Sequence, residues 1–220
     1  MITILDISDP KPLMSMYKQK SIDAGIIVSW SNVQAIVDQA VGAGFLIGVF
    51  DQNTLNGPLP DQVPVPWLDN HASAYRAAQC LLDLGHTDIG ILTGDMGIAC
   101  SAERLAGFLQ AAADRGVGVP DSKIKYGRFV EQDGANAVRE WVEEGTLPQA
   151  LFCSNDLMAY GVLQALPEYG LKAPQDVSLI GFDDLLISQY MQPPLASMRV
   201  PRVDMAEALT SRMLDRLDGL

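Results

Sequence analysis

The chain has 220 residues, 48% of them hydrophobic and 19% charged, which excludes a disordered chain and allows one large domain or two small ones. Its 27 acidic and 15 basic residues give a formal net charge of −12, and Lys and Arg cluster no further than the pair Lys123 and Lys125, so the basic surface that grips nucleic-acid phosphates is missing from this sequence. No apolar run reaches the ~18–20 residues of a membrane-spanning helix, and the stretch 13–30 carries Lys18, Lys20 and Asp23, unlike the core of a signal peptide.

Short apolar, β-branched runs alternate with longer helical patterns. Strands are predicted at 2–5 and 24–28, a helix at 33–41 and a strand at 46–50. The segment 52–66, with Gly57, Pro58, Pro60, Pro64 and Pro66, has the chemistry of a loop. A helix follows at 71–84, with Asn70 as its cap and Gly85 as its left-handed stop, then a strand at 89–93. The next helix, 102–115, has Ser101 to cap it and Gly116 to end it. Strand 124–126, helix 134–144, strand 150–153, helix 157–169 and strand 177–182 complete the alternation. An extended, proline-flanked run at 192–201 leads to a last helix at 203–217. Nearly continuous apolar strands separated by helices imply βαβ units and parallel, doubly wound sheets buried on both faces. The fold class is α/β. Two lobes are expected: residues 1–68 plus 198–220, an incomplete first lobe, and residues 69–197, which hold enough repeats for a complete sheet.

Cys80, Cys100 and Cys153 lie in apolar contexts without metal-ligand spacing, which predicts buried free thiols in a reducing compartment, hence a cytoplasmic protein. Catalytic patterns are thin. His71 and His86 are the only histidines, and neither lies beside a nucleophile elbow. The run Gly94-Asp95-Met96-Gly97 hints at a phosphate loop but lacks its lysine and spacing. Asp183 and Asp184 are adjacent, so their carboxyl groups diverge rather than forming a glycosidase pair. No enzyme, metal site or cofactor is predicted.

In open α/β sheets ligands bind outside the carboxyl ends of the strands, so polar residues directly after strands are the candidates. Asp51, Asn155 with Asp156, and Asp183 with Asp184 stand there; Phe129 follows the strand at 124–126, and Arg104 is expected in the first turn of its helix. Each also has a structural reading. Arg104 can pair with Glu103, Asn155 can cap a helix, Asp183 and Asp184 can form a turn, and Phe129 can be core. A cation near a helix amino end is disfavoured by the macrodipole, which an anionic or polyhydroxylated ligand would offset. Asp and Asn bonding hydroxyls, Arg forking onto two oxygens and an aromatic face covering a ring suit a small polar ligand.

These residues belong to a longer pattern. Leu68-Asp69-Asn70, Leu84-Gly85-His86, the run SAERLAGF at 101–108, Cys153-Ser154-Asn155-Asp156 with Met158-Ala159, Gly170-Leu171 through Pro174, VSLIGFDD at 177–184 and Pro193-Pro194-Leu195 stand in order. Together they resemble the effector-binding domain of the lactose-repressor (LacI/GalR) family, from about residue 24 to the end. The resemblance implies a two-lobed, periplasmic-binding-protein-like fold that senses a small effector and acts on operator DNA through a helix-turn-helix headpiece. It implies effector contacts at Asp51, Arg104, Phe129, Asn155 and Asp183, a sugar in preference to a purine, no cofactor, no membrane, and a homodimer. The rival expectation is a solute-binding protein of a sugar transport system. Against the family's pattern, the headpiece and first strand-helix unit are absent, residues 1–6 resemble the second strand, and the chain stops before the last strand. Ala196-Ser197 stands where two threonines are usual.

Overall fold

The computed structural model describes residues 11–28, 33–50 and 62–219. It divides the chain into two compact units, Met1–Leu68 with Pro201–Leu220, and Asp69–Val200. The strand expected at 2–5 lies outside the described residues, as does most of the proline-rich loop.

In the first unit, α1 (Lys11–Lys18), β1 (Ala24–Ile27), α2 (Gln34–Gly42) and β2 (Leu46–Val49) are joined by α7 (Arg202–Leu217). β1 and β2 pair in parallel, Ala24 opposite Leu46 through Ile27 opposite Val49. Ile27, Ile47 and Val49 from the strands and Val33, Val37 and Ala40 at and within α2 form the core with Met14 and Phe45. The Phe45 ring lies 4.5 Å from that of Tyr17 on α1. α7 packs on β2 over Gly48: a Cβ there would stand 2.9 Å from Leu209 Cδ1 and 3.1 Å from Met213 Sδ, the two buried residues of α7. α1 is absent from the sequence expectation.

The second unit is a five-stranded parallel sheet in the order β4-β3-β5-β6-β7. Its strands are β3 (Ile89–Thr93), β4 (Ile124–Tyr126), β5 (Ala150–Cys153), β6 (Ser178–Asp183) and β7 (Ala196–Arg199); its helices are α3 (Asn70–Asp83), α4 (Ala99–Asp114), α5 (Glu131–Glu144) and α6 (Asp156–Ala165). Every residue of β3 and β5 is buried, as their unbroken apolar sequences require of strands covered on both faces. α3 packs with α4 and α5 with α6. The second pair meets backbone to backbone: a Cβ at Gly134 would overlap the Met158 carbonyl, and one at Gly161 the Glu131 carbonyl. At the β4 edge Lys125 bridges to Glu140 and Glu144 of α5, charge that blunts an open strand edge.

Several expectations shift. Residues 198–200, assigned by sequence to the first lobe, belong to the second unit, where Met198 and Arg199 pair with Phe182 and Asp183. β7 (Ala-Ser-Met-Arg) lacks a run of apolar side chains because it is an edge strand, with exposed ends and a half-buried middle. α3 is capped by Asp69, whose Oδ1 accepts from the Ala72 amide at 2.7 Å, while Asn70 is already helical and fully buried. α4 begins at Ala99, so Ser101 is inside its first turn and Ile98 precedes it with no side-chain cap. The helix expected at 157–169 is α6 followed by a 3-10 turn, Leu166–Tyr169. Gly85 (φ 90°) and Gly116 (φ 68°) take the left-handed conformation that ends their helices.

Cys100 and Cys153 are buried but Cys80 is exposed on α3, contrary to the expectation of three buried thiols. Burial pushes the Cys153 thiol well above its ordinary pKa, with Asp156 adding to the shift. Titrating the native protein with a thiol reagent should therefore label Cys80 rapidly and Cys100 and Cys153 only after denaturation. Gly161→Ala should force α5 and α6 apart and lower stability by about 1–3 kcal/mol in chemical denaturation, as overpacking does.

Candidate functional site

The chain leaves β3 for β4 on one side and returns to β5 on the other, so the strand order reverses between β3 and β5. Their carboxyl ends are the topological switch point, where open α/β sheets bind ligands. After β3, Asp95 Oδ1 accepts from the Gly97 amide at 2.8 Å, a turn that leads into α4. Buried Thr93 anchors that helix by donating to the Ser101 carbonyl at 3.1 Å.

Arg104 stands in the second turn of α4, not the first, so the macrodipole argument loses its force and direct contacts explain its position. It is only 6% exposed. Its Nε donates to Asn70 Oδ1 at 3.0 Å, its Nη1 donates to the Ser154 carbonyl at 2.6 Å, and its Cζ lies 3.7 Å from the centre of the Phe182 ring. Asn70 Nδ2 donates to Glu103 Oε2 at 3.0 Å, so Asn70 stands between Glu103 and Arg104. Phe182 belongs to a row of rings, 6.3 Å from Phe152, which lies 6.0 Å from Phe108 on α4.

Asn155 caps α6: its Oδ1 accepts from the Met158 amide at 2.9 Å. Its Nδ2 donates to the Phe129 carbonyl, also at 2.9 Å, which leaves one N–H and one lone pair of the amide for another partner. Phe129 is a non-glycine residue at φ 66°, a conformation persisting only where the surroundings hold it. Here Asn155 holds its carbonyl, Asp133 Oδ2 accepts from the preceding amide of Arg128 at 2.5 Å, and its ring occupies the place a Cβ at Gly94 would take.

Asp183 ends β6 half-buried, with φ 115°, and Asp184 follows at φ 53°. Arg104, Phe129, Asn155 and Asp183 thus lie along the carboxyl edge of one sheet. Asp51 lies outside the described residues. The structural readings of Asn155 as a cap and Asp183-Asp184 as a turn hold geometrically. Glu103 is joined to Arg104 through Asn70.

Two more residues define this edge: Asn70, a cap candidate by sequence, and Asp156, a strand-end candidate to which the resemblance assigns no effector contact. Asp156, fully buried, accepts from the Leu185 amide (2.8 Å), from Ser188 Oγ (2.7 Å) and from Ser197 Oγ (2.5 Å). The signals were present: Asp156 directly follows a strand, and Ser197 breaks the family's threonine pattern while keeping the hydroxyl. Tyr160 donates to Ser188 Oγ at 2.7 Å. Burial raises the pKa of its hydroxyl, and Asp156, Asp183 and Asp184 raise it further. Among the described residues no group of His, Cys, Asp and Glu could hold a metal ion, and no helix is long and apolar enough to cross a membrane.

Arg104→Ala would leave the Asn70 side chain and the Ser154 carbonyl without this donor in a buried setting. These contacts predict a loss of about 1–3 kcal/mol per group left unsatisfied. Comparing the denaturation midpoints of Arg104→Ala and Arg104→Lys tests this, the lysine keeping the charge but losing the planar fork.

The family model of the periplasmic binding protein-like domain matches residues 78–220. The HTH-type transcriptional regulator AscG of Escherichia coli (strain K12) is 38% identical over 153 residues, 70% of this chain and 46% of that protein. The HTH-type transcriptional repressor PurR of Salmonella paratyphi B is 31% identical over 209 residues, 94% of this chain and 54% of that protein. The chain therefore spans about half the length of the curated relatives it matches. Among solved structures, a sugar-binding transcriptional regulator of the LacI family from Escherichia coli, complexed with phosphate, aligns with a TM-score of 0.80 at 32% identity, covering 96% of this chain and 74% of that one. With the family model matching well over half its length and these regulators aligning along it, the chain belongs to the periplasmic binding protein-like domain family and, within it, with the effector-binding domains of LacI-family regulators.

Proposed function

We propose that this chain is the effector-sensing core of a LacI-type transcription regulator, and that it binds a small polar ligand, a sugar in preference to a purine, at the carboxyl edge of the five-stranded sheet. The observation that carries the reading is Arg104. Its guanidinium is buried and aimed by Asn70, Ser154 and Phe182 at the switch point of the sheet, beside an asparagine with spare bonding capacity and an aromatic held in a left-handed backbone. In this reading Arg104 forks onto adjacent oxygens of the ligand, Asn155 and Asp183 bond its hydroxyls, and the Phe129 ring covers an apolar face. The sugar-binding relative of known structure supports the ligand class.

The regulator acts in the cytoplasm, as a homodimer, on operator DNA through a headpiece. The effector works by preferring one lobe orientation; a ligand with equal affinity for both orientations would shift nothing.

A thermal-shift screen against D-ribose, cellobiose, adenine and inorganic phosphate tests the ligand class. A ligand at about 100 times its Kd adds ~2.7 kcal/mol of stability, a readily measured rise in Tm. The expected outcome is a shift with a neutral sugar that is lost in Asp183→Ala. A shift with adenine alone overturns the sugar preference. A ligand whose shift survives both Arg104→Lys and Asp183→Ala overturns the site.

A further inference from the structure

Asp156 is the most completely enclosed carboxylate near the proposed site, and no contact assigned to the ligand uses it. Its two oxygens meet three donors from three segments: the Leu185 amide just after β6, Ser188 in the 3-10 turn Leu186–Tyr190, and Ser197 of β7. Asp156 itself is the first residue of α6, directly after Asn155. Ser197 Oγ also accepts from the Asp184 amide at 2.9 Å. Two hydrogen bonds therefore grip the backbone at Asp184 and Leu185, immediately beyond Asp183. The carboxylate reaches this position because β6 has Gly181 there; a Cβ on that residue would overlap Asp156 Oδ1.

Asp183 and Asp184 both have positive φ without being glycine, a pairing that local sequence does not favour and that must be imposed from outside. The side chains of Ser197 and Asp156 bond the amides of Asp184 and Leu185 in this turn. Resting on the site reading above, we propose that Asp156 is the positioning residue of the effector site, its buried carboxylate fixing the turn that aims Asp183 and locking it to the helix that carries Asn155. The spacing between the Asp183 side chain at the end of β6 and the Asn155 side chain at the cap of α6 is then set by one group that touches no ligand. Ser197 is the relay on β7, and only its hydroxyl matters.

Asp156→Asn keeps the shape but replaces one accepting oxygen with a donor that cannot serve Leu185, Ser188 or Ser197 in the same way. Ser197→Ala breaks the same network without touching a charge, and Ser197→Thr restores the hydroxyl. Amide hydrogen exchange, measured without ligand, should rise at least tenfold at Asp184 and Leu185 in Asp156→Asn and Ser197→Ala, stay near wild type in Ser197→Thr, and change little in β3 and α4. For whichever of D-ribose, cellobiose, adenine and phosphate binds wild type, affinity should fall tenfold or more in Asp156→Asn, with no further loss in an Asp183→Ala background. Turn amides that keep their protection in both variants overturn the proposal. So does uniform loss of protection across the second unit, or additive losses in the double variant. If none of the four probes binds wild type, or if binding survives Asp183→Ala and Arg104→Lys, the site reading fails instead. Exchange at Asp184 and Leu185 then decides by itself whether Asp156 holds the turn.

Discussion

A guanidinium buried to 6% exposure is costly unless its donors are met, and the carboxyl edge of the five-stranded sheet is arranged around meeting them. Asn70 comes from the first turn of α3, the Ser154 carbonyl from the end of β5, and the Phe182 ring from β6. Each contact recruits a different element, so the placement of Arg104 depends on the α3–α4 packing and on the register of β5 against β6. The glycine at 107 serves the same end, since a Cβ there would meet the His71 carbonyl and push α3 away from α4. An arginine held this firmly loses little conformational entropy when it engages oxygens of a ligand.

Asp156, the residue after Asn155, is a second buried polar centre at this edge. Its bonds to Leu185, Ser188 and Ser197 draw the turn after β6 and the edge strand β7 onto the start of α6. Between Arg104 and Asp156 in the chain, the Ser154 carbonyl accepts from Arg104, and the Asn155 side-chain amide joins Met158 to the Phe129 carbonyl. Arg104, Phe129 and Asn155, far apart in sequence, are thus held at one sheet edge by bonds within the protein.

The first unit shows a different economy. Its described sheet has two strands, and much of the covering of β2 comes from α7, almost the last segment of the chain, through Leu209 and Met213 over Gly48. Contacts between residues so distant in sequence carry a larger loop-closure cost than the local βα packing of the second unit.

The parallel strands β3 and β5 were legible to the residue because strands buried on both faces must be apolar throughout, and the glycines after α3 and α4 because a left-handed stop disfavours other residues. The order of the motifs carried the family. Sequence alone also named the strand-end polar residues, since any α/β sheet presents them along one edge. Tertiary structure decided what each of them does. Asp69 and Asn70 are both good caps by composition, and only the presence of Arg104 and Glu103 turns Asn70 inward and leaves the cap to Asp69. α4 begins before the serine that local rules favour because the turn at Asp95 and the bond from Thr93 set its start. β7 has no apolar signature, being defined by hydrogen bonds to β6 rather than by burial of its own side chains. Periodicity reports which face of an element is dry; which buried polar group meets which partner is a long-range match that no local pattern encodes.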